Sequence, residues 1–128
     1  NDIISNINKK IEELNYRINQ LSCSKKNIKF YYIDKINTIK NEIRDLEAQL
    51  IYYKNYNSND IIDIHGSTKF FIDNYLDDLL YYKMKYHQQV TLITGKGTYT
   101  IFNLVKKYLN SEKLKYNIDD NNFIIQLY

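Results

Sequence analysis

Two apolar stripes constrain this chain more than any other feature. Ile4, Ile7, Ile11, Leu14, Ile18 and Leu21 alternate spacings of three and four, and Tyr32, Ile36, Ile39, Ile43, Leu46, Leu50 and Tyr53 repeat the pattern. A repeat averaging 3.5 residues gives a helix one narrow apolar seam, which a second helix must cover. Between the stripes, Ser22-Cys23-Ser24-Lys25-Lys26-Asn27 is polar, and continuing the first register would put Lys25 on the seam. The second stripe is also out of phase with the first. The pattern therefore predicts two helices, about 2–22 and 28–56, meeting as an antiparallel hairpin. The alternative is a coiled coil with another chain, giving a homo-oligomer through residues 4–53.

The rest of the composition narrows the class. The chain has 128 residues, no Pro, three Gly and one Cys. That length suits one compact domain or a small domain with an appendage. A lone Cys23 excludes a disulfide framework and a cysteine-based zinc site. No apolar run reaches the roughly 18 residues that a membrane span needs. No signal-peptide pattern follows Asn1, and the lack of an initial Met reads as an excised fragment that could have lost a targeting segment. Separately, an intracellular setting is expected. Asn, Ile, Lys and Tyr supply 67 residues, a bias toward AT-rich codons before it is a functional signal. With 16 Lys and two Arg, phosphates would be held by point charges rather than by planar forks. The net charge of +3 allows a nucleic-acid partner without demanding one. Tyr31, Tyr32, Tyr52, Tyr53 and Tyr56 could stack on bases, though biased composition plus core packing explains them better.

Residues 57–128 change character. Asn55 to Asp60 is a turn-forming linker, followed by the β-rich run Ile61-Ile62-Asp63-Ile64-His65-Gly66. Ser67 or Thr68 can cap a helix whose buried stripe is Ile72, Leu76, Leu79 and Leu80. Val90–Thr94 reads as a strand closed by Gly95-Lys96-Gly97. A helix from about Tyr99 places Ile101, Leu104, Val105, Tyr108 and Leu109 on one face. Two strands, Leu114–Ile118 and Phe123–Leu127, flank a turn at Asp119–Asn122. The order βαβαββ implies an α/β two-layer sandwich, with both helices on one face of a small mixed sheet. The domains are then 1–56, a helical hairpin or coiled coil, and 57–128.

If the first two strands are parallel, the loops after Ile64 and Thr94 share one edge of the sheet. Asp63 and His65 are two residues apart, so a strand points both side chains to the same face. His65 can move a proton near neutral pH, and Asp63 can orient the imidazole or bind a divalent cation. Lys96, between two glycines, can hold an anion together with main-chain N–H groups. No glycine stands at the upstream position that a P-loop requires. An acid–base residue, a carboxylate and a phosphate cradle suggest phosphodiester cleavage. Lys83, Lys85 and His87, with Lys106 and Lys107, would extend a track along the nucleic-acid backbone.

Ile62-Asp63-Ile64-His65-Gly66 and Thr94-Gly95-Lys96-Gly97, about thirty residues apart, resemble the two motifs of the small MutS-related (Smr) domain. The resemblance covers about residues 60–128. It implies a sandwich like the C-terminal domain of bacterial translation initiation factor three, nucleic-acid binding and, in many members, nicking or endonuclease activity. By position, Asp63 and His65 match the first motif, and Gly95, Lys96 and Gly97 match the nucleic-acid-contacting second one. Thr98 and Lys106 extend the expected contact set. The loop after Gly97 is about two residues shorter than the family pattern, Asp119–Asn122 replaces a Gly-rich turn, and Ser67 stands where Leu is common.

The resulting expectation is an endonuclease domain carried on a helical hairpin. Asp63 and His65 are its catalytic residues, and Gly95, Lys96, Gly97, Thr98 and Lys106 bind DNA or RNA. An RNA substrate supplies its own 2′-OH as nucleophile. A DNA substrate calls for water and favours an ion such as Mg2+, with Asp63 as the candidate ligand. The rival expectation is a non-catalytic nucleic-acid- or protein-binding module with an oligomerising coiled coil. A third is a helical scaffold with an inert α/β cap.

Overall fold

The computed structural model describes residues 2–23, 30–95, 97 and 99–126, excepting the side chains of residues 22, 23 and 30–32. The chain divides into two compact units, residues 1–50 and 51–128.

The first unit contains α1 (Asp2–Cys23) and most of α2 (Phe30–Tyr56). Leu14, Ile39 and Ile43 form its buried centre, with Ile11, Ile18, Leu21 and Leu46 packed around them. The seam is thus covered within the chain. Six residues separate the two helices, a connection short enough to make them antiparallel neighbours. Each seam residue gains burial on one side only, so the stripe rather than helix propensity holds the pair together.

The division between the units falls at Leu50/Ile51, inside α2 and six residues before the boundary expected at 56/57. Residues after Leu50 pack with the second unit. Tyr52 lies 6.1 Å from Tyr75, and Tyr56 stacks on Tyr82 at 4.5 Å and 11°. These rings therefore serve one another. Burial pushes the Tyr52 phenol up, and a hydrogen bond with Tyr56 does the same to Tyr82.

The second unit is a mixed α/β arrangement around a four-stranded mixed sheet. Its strands are β1 (Ile61–Asp63), β2 (Gln89–Ile93), β3 (Lys115–Asp119) and β4 (Asn122–Gln126), in the spatial order β1-β2-β4-β3. β1 and β2 are parallel, and β4 runs antiparallel to both of its neighbours. Register places Ile62 beside Leu92, Leu92 beside Phe123, and Val90 beside Ile125. All five are buried, so one face of the sheet supplies the core. The β3–β4 connection is shorter than expected, because Asp119 already pairs with Asn122 and Asp120 takes φ +59°.

Between β1 and β2 run α3 (Lys69–Phe71), a π-helical stretch at Ile72–Leu76 and α4 (Asp77–Met84), with right-handed backbone at each junction. Thr68 caps this helix through a 3.3 Å hydrogen bond to its Oγ1 from the Phe71 N–H. Ser67 is instead buried, and its hydroxyl has no hydrogen-bond partner among the described residues. α5 (Thr100–Ser111) follows β2 and buries Val105 and Leu109.

Two polar side chains close the edge where β1 lies. Asn55 donates to the Asp63 carbonyl and accepts from the Asp63 N–H, both at 2.9 Å. An amide side chain thereby substitutes for the missing neighbour of an edge strand. Lys83 is 1% exposed and donates to the main-chain carbonyls of Tyr56 (3.1 Å) and Ser58. It supplies the donor that the C-terminal end of α2 lacks. Desolvation lowers its pKa. This corrects the expectation that Lys83 belongs to a nucleic-acid track, because a buried ammonium bonded to carbonyls cannot meet a phosphate.

Candidate active site

The strand-ending loops of β1 and β2 emerge at the same edge because these strands are parallel. A hydrogen bond from Ile64 N–H to the Ile93 carbonyl (2.9 Å) carries the pairing one step past β1. The chain then turns: Ser67 N–H donates to the Ile64 carbonyl (3.0 Å), with Gly66 at φ +74°. A positive φ at the third residue of such a turn favours glycine. His65 is therefore carried at the turn's second position and is exposed.

Asp63 fixes that exposed ring. Its Oδ1 accepts from the His65 main-chain N–H (3.1 Å) and lies 2.7 Å from His65 Nδ1. The first contact is an Asx-type turn, and the second is an ion-pair geometry. With a proton on Nδ1 directed at the carboxylate, Nε2 is the nitrogen left for proton transfer. The His65 side chain is 72% exposed, so a large substrate can reach it.

The second loop is pressed against the first. Gly95 has φ +85°, and a Cβ placed there would lie 2.8 Å from the His65 Cβ. A side chain at position 95 would collide with the histidine, so glycine is needed for both conformation and closeness. Thr94 is buried and donates to the Asn121 carbonyl (2.7 Å), tying this loop to the β3–β4 turn. The convergence opens a cleft of about 290 Å³, lined by His65, Gly66, Thr94, Gly95, Gly97, Tyr99, Ile101 and Phe102.

Asp63, His65, Gly95 and Gly97 thus come together. Lys96 and Thr98 lie outside the described residues. Lys106 is exposed on α5 and is not among the residues lining the cleft. Lys107 lines a separate groove of about 450 Å³ with Lys69, Asp73 and Asp77. That groove includes Tyr108, which donates to Asp77 Oδ1 at 2.5 Å, and burial with this bond raises its pKa. Among the described residues no three His, Cys, Asp or Glu side chains gather as a metal site. Asp63 Oδ1 is engaged with His65, so an Mg2+ here would draw on Asp63 Oδ2 together with phosphate oxygens of the substrate.

Sequence reasoning missed two cleft residues, Tyr99 and Phe102. Tyr99 precedes α5 in a left-handed conformation (φ 62°, ψ 3°) and makes no side-chain capping bond. Nothing in a Thr-Tyr-Thr run announces that backbone.

No protein-family model matches the chain, and comparisons with curated proteins and with solved structures also return no match. Among the described residues no helix is long and apolar enough to cross a membrane.

Proposed function

We propose that the second unit is an Smr-type nucleic-acid-binding domain with its helices layered on one face of the sheet, and that it cleaves phosphodiester bonds. One observation carries the reading: the Asp63–His65 pair at 2.7 Å stands directly against the Gly95 main chain. An acid–base group beside a glycine-rich, lysine-bearing loop supplies a proton-transfer group and an anion cradle, two parts that phosphodiester cleavage uses. Asp63 holds the imidazole so that Nε2 faces the reaction. Lys96 and the Gly95 and Gly97 N–H groups hold the phosphate. In RNA, Nε2 takes the proton of the 2′-OH as its oxygen attacks the adjacent phosphorus. The departing 5′ oxygen takes a proton from solvent.

The test is incubation of the wild-type chain and His65→Ala with labelled single-stranded RNA and with supercoiled plasmid, with and without magnesium. RNA cleavage is expected to fall on the order of a hundredfold in the variant while binding persists. Cleavage unchanged in His65→Ala removes the histidine from the mechanism. Tight binding by wild type without cleavage assigns the cleft to a binding module instead.

A further inference from the structure

We propose that Tyr99 and Phe102 form a stacking subsite for one unpaired nucleobase, so that the cleft accepts single-stranded or looped nucleic acid and not duplex. This rests on the nucleic-acid reading of the Asp63–His65 site and specifies its substrate class.

The cleft is small and one-sided in chemistry. At about 290 Å³ it sits near the lower limit, about 300 Å³, of clefts that enclose small organic ligands. That is room for a single flat ring system, not for a base pair. Gly66, Gly95 and Gly97 contribute only main chain to its walls, whereas Tyr99, Ile101 and Phe102 contribute apolar surface. His65 belongs to the same wall, so a base held here keeps its own phosphodiester beside the imidazole.

The two rings differ in how they are held. Phe102 packs on Phe123, a core residue, at 4.7 Å and 32°. Tyr99 meets Phe102 edge to face, at 6.0 Å and 89°. One ring is anchored and the other, 58% exposed, offers its surface to solvent. The fold asks little of the tyrosine at 99. Apart from the edge contact with Phe102 the ring is exposed, its hydroxyl makes no capping bond to α5, and its φ of 62° is unfavourable for any residue with a bulky side chain. An exposed aromatic ring in a costly conformation on the wall of a cleft is explained by what it touches there. Bases offer a flat face to such rings whatever their identity, which makes stacking tolerant of sequence but intolerant of pairing.

The experiment titrates the full chain, at one fixed salt concentration, with a fluorescein-labelled single-stranded 12-mer and with its blunt duplex. Wild type is expected to prefer the single strand. Tyr99→Gly and Tyr99→Asn both accept the left-handed backbone. Each should weaken single-strand binding about tenfold, within the range for losing one base stack, leave duplex binding unchanged and unfold no earlier than wild type. Tyr99→Phe should keep single-strand affinity. Tyr99→Trp would be the chain's only tryptophan, and its fluorescence should be quenched by the single strand and not by the duplex. Salt-sensitive binding that is equal for both forms and indifferent to Tyr99→Gly, or a tryptophan unquenched at saturation, sinks the stacking subsite and leaves the nucleic-acid reading standing. A wild-type chain that binds neither form overturns the nucleic-acid reading and the subsite with it.

Discussion

The two units bury their apolar residues in different ways. In the hairpin, burial is a single row, and even its central Leu14 keeps 5% exposure. In the α/β unit, Ile62, Leu92, Phe123, Val105, Leu109 and others are sealed completely, because a sheet face and helices enclose them from several directions. The first design is a seam that works by repetition, and each residue is modest alone. The second concentrates stability in a few side chains and can hold a turn as specific as the one that carries His65. Rigid geometry at the candidate site follows from the second kind of packing, not the first.

Truncations at the two cores should separate these designs. Phe123→Ala removes a fully buried ring that also supports Phe102, and should cost about 3–5 kcal/mol. Leu14→Ala opens a seam already near solvent, and should cost nearer the lower end of the Leu→Ala range, about 2–3 kcal/mol. Urea unfolding followed by circular dichroism measures both. Equal costs would erase the contrast between seam and enclosed core.

Lys83 sharpens it through pH. Its folded pKa is lowered by desolvation from the ordinary 10.5, so between these values the unfolded chain keeps a proton that the folded chain has released. Stability contributed by this group therefore rises with pH across that window. Tyr52, Tyr82 and Tyr108, raised in the fold, act in the opposite sense above their ordinary value of 10. Comparing wild type with Lys83→Met cancels the tyrosines. The wild type should gain on the variant as pH rises toward 10.5, and a constant gap in urea midpoints would show that the ammonium is not buried. The smallest effect belongs to Ser67, whose hydroxyl is buried without a partner. Ser67→Ala should be neutral or stabilise by up to about 1 kcal/mol, read as a shift in thermal midpoint. A loss of more than that would reveal a bond to the hydroxyl.

Much of the architecture is legible because it follows from local periodicity. The stripe from Ile4 to Leu21 needs a partner helix, and alternation around Ile62, Val90 and Phe123 needs a sheet. The candidate site is legible in part. Asp63 and His65 are close as their spacing suggests, but β1 ends at Asp63, and the contact is made by the Asx-type turn that carries His65 and not by two side chains sharing a strand face. Their closeness to Gly95 could only be conditional, because it depends on the first two strands being parallel neighbours. The helix cap shows the same limit: Ser67 and Thr68 are equivalent by type, and the turn at Gly66 decides between them by burying one.

Residue order alone determined the two seams, the switch from a 3.5-residue to a two-residue period near residue 60, and the Asp63–His65 pairing, since each depends on neighbours a few positions apart. Tertiary structure alone decided that Asn55 completes the edge of β1, that Lys83 is sealed beneath the end of α2 and that Gly95 lies against His65. It also decided that Tyr99 adopts a left-handed backbone on a cleft wall. The reason is common to all four. Each is a contact between distant segments or a conformation forced by one, and its energy is set by what the fold leaves unpaired or enclosed, which no local pattern encodes.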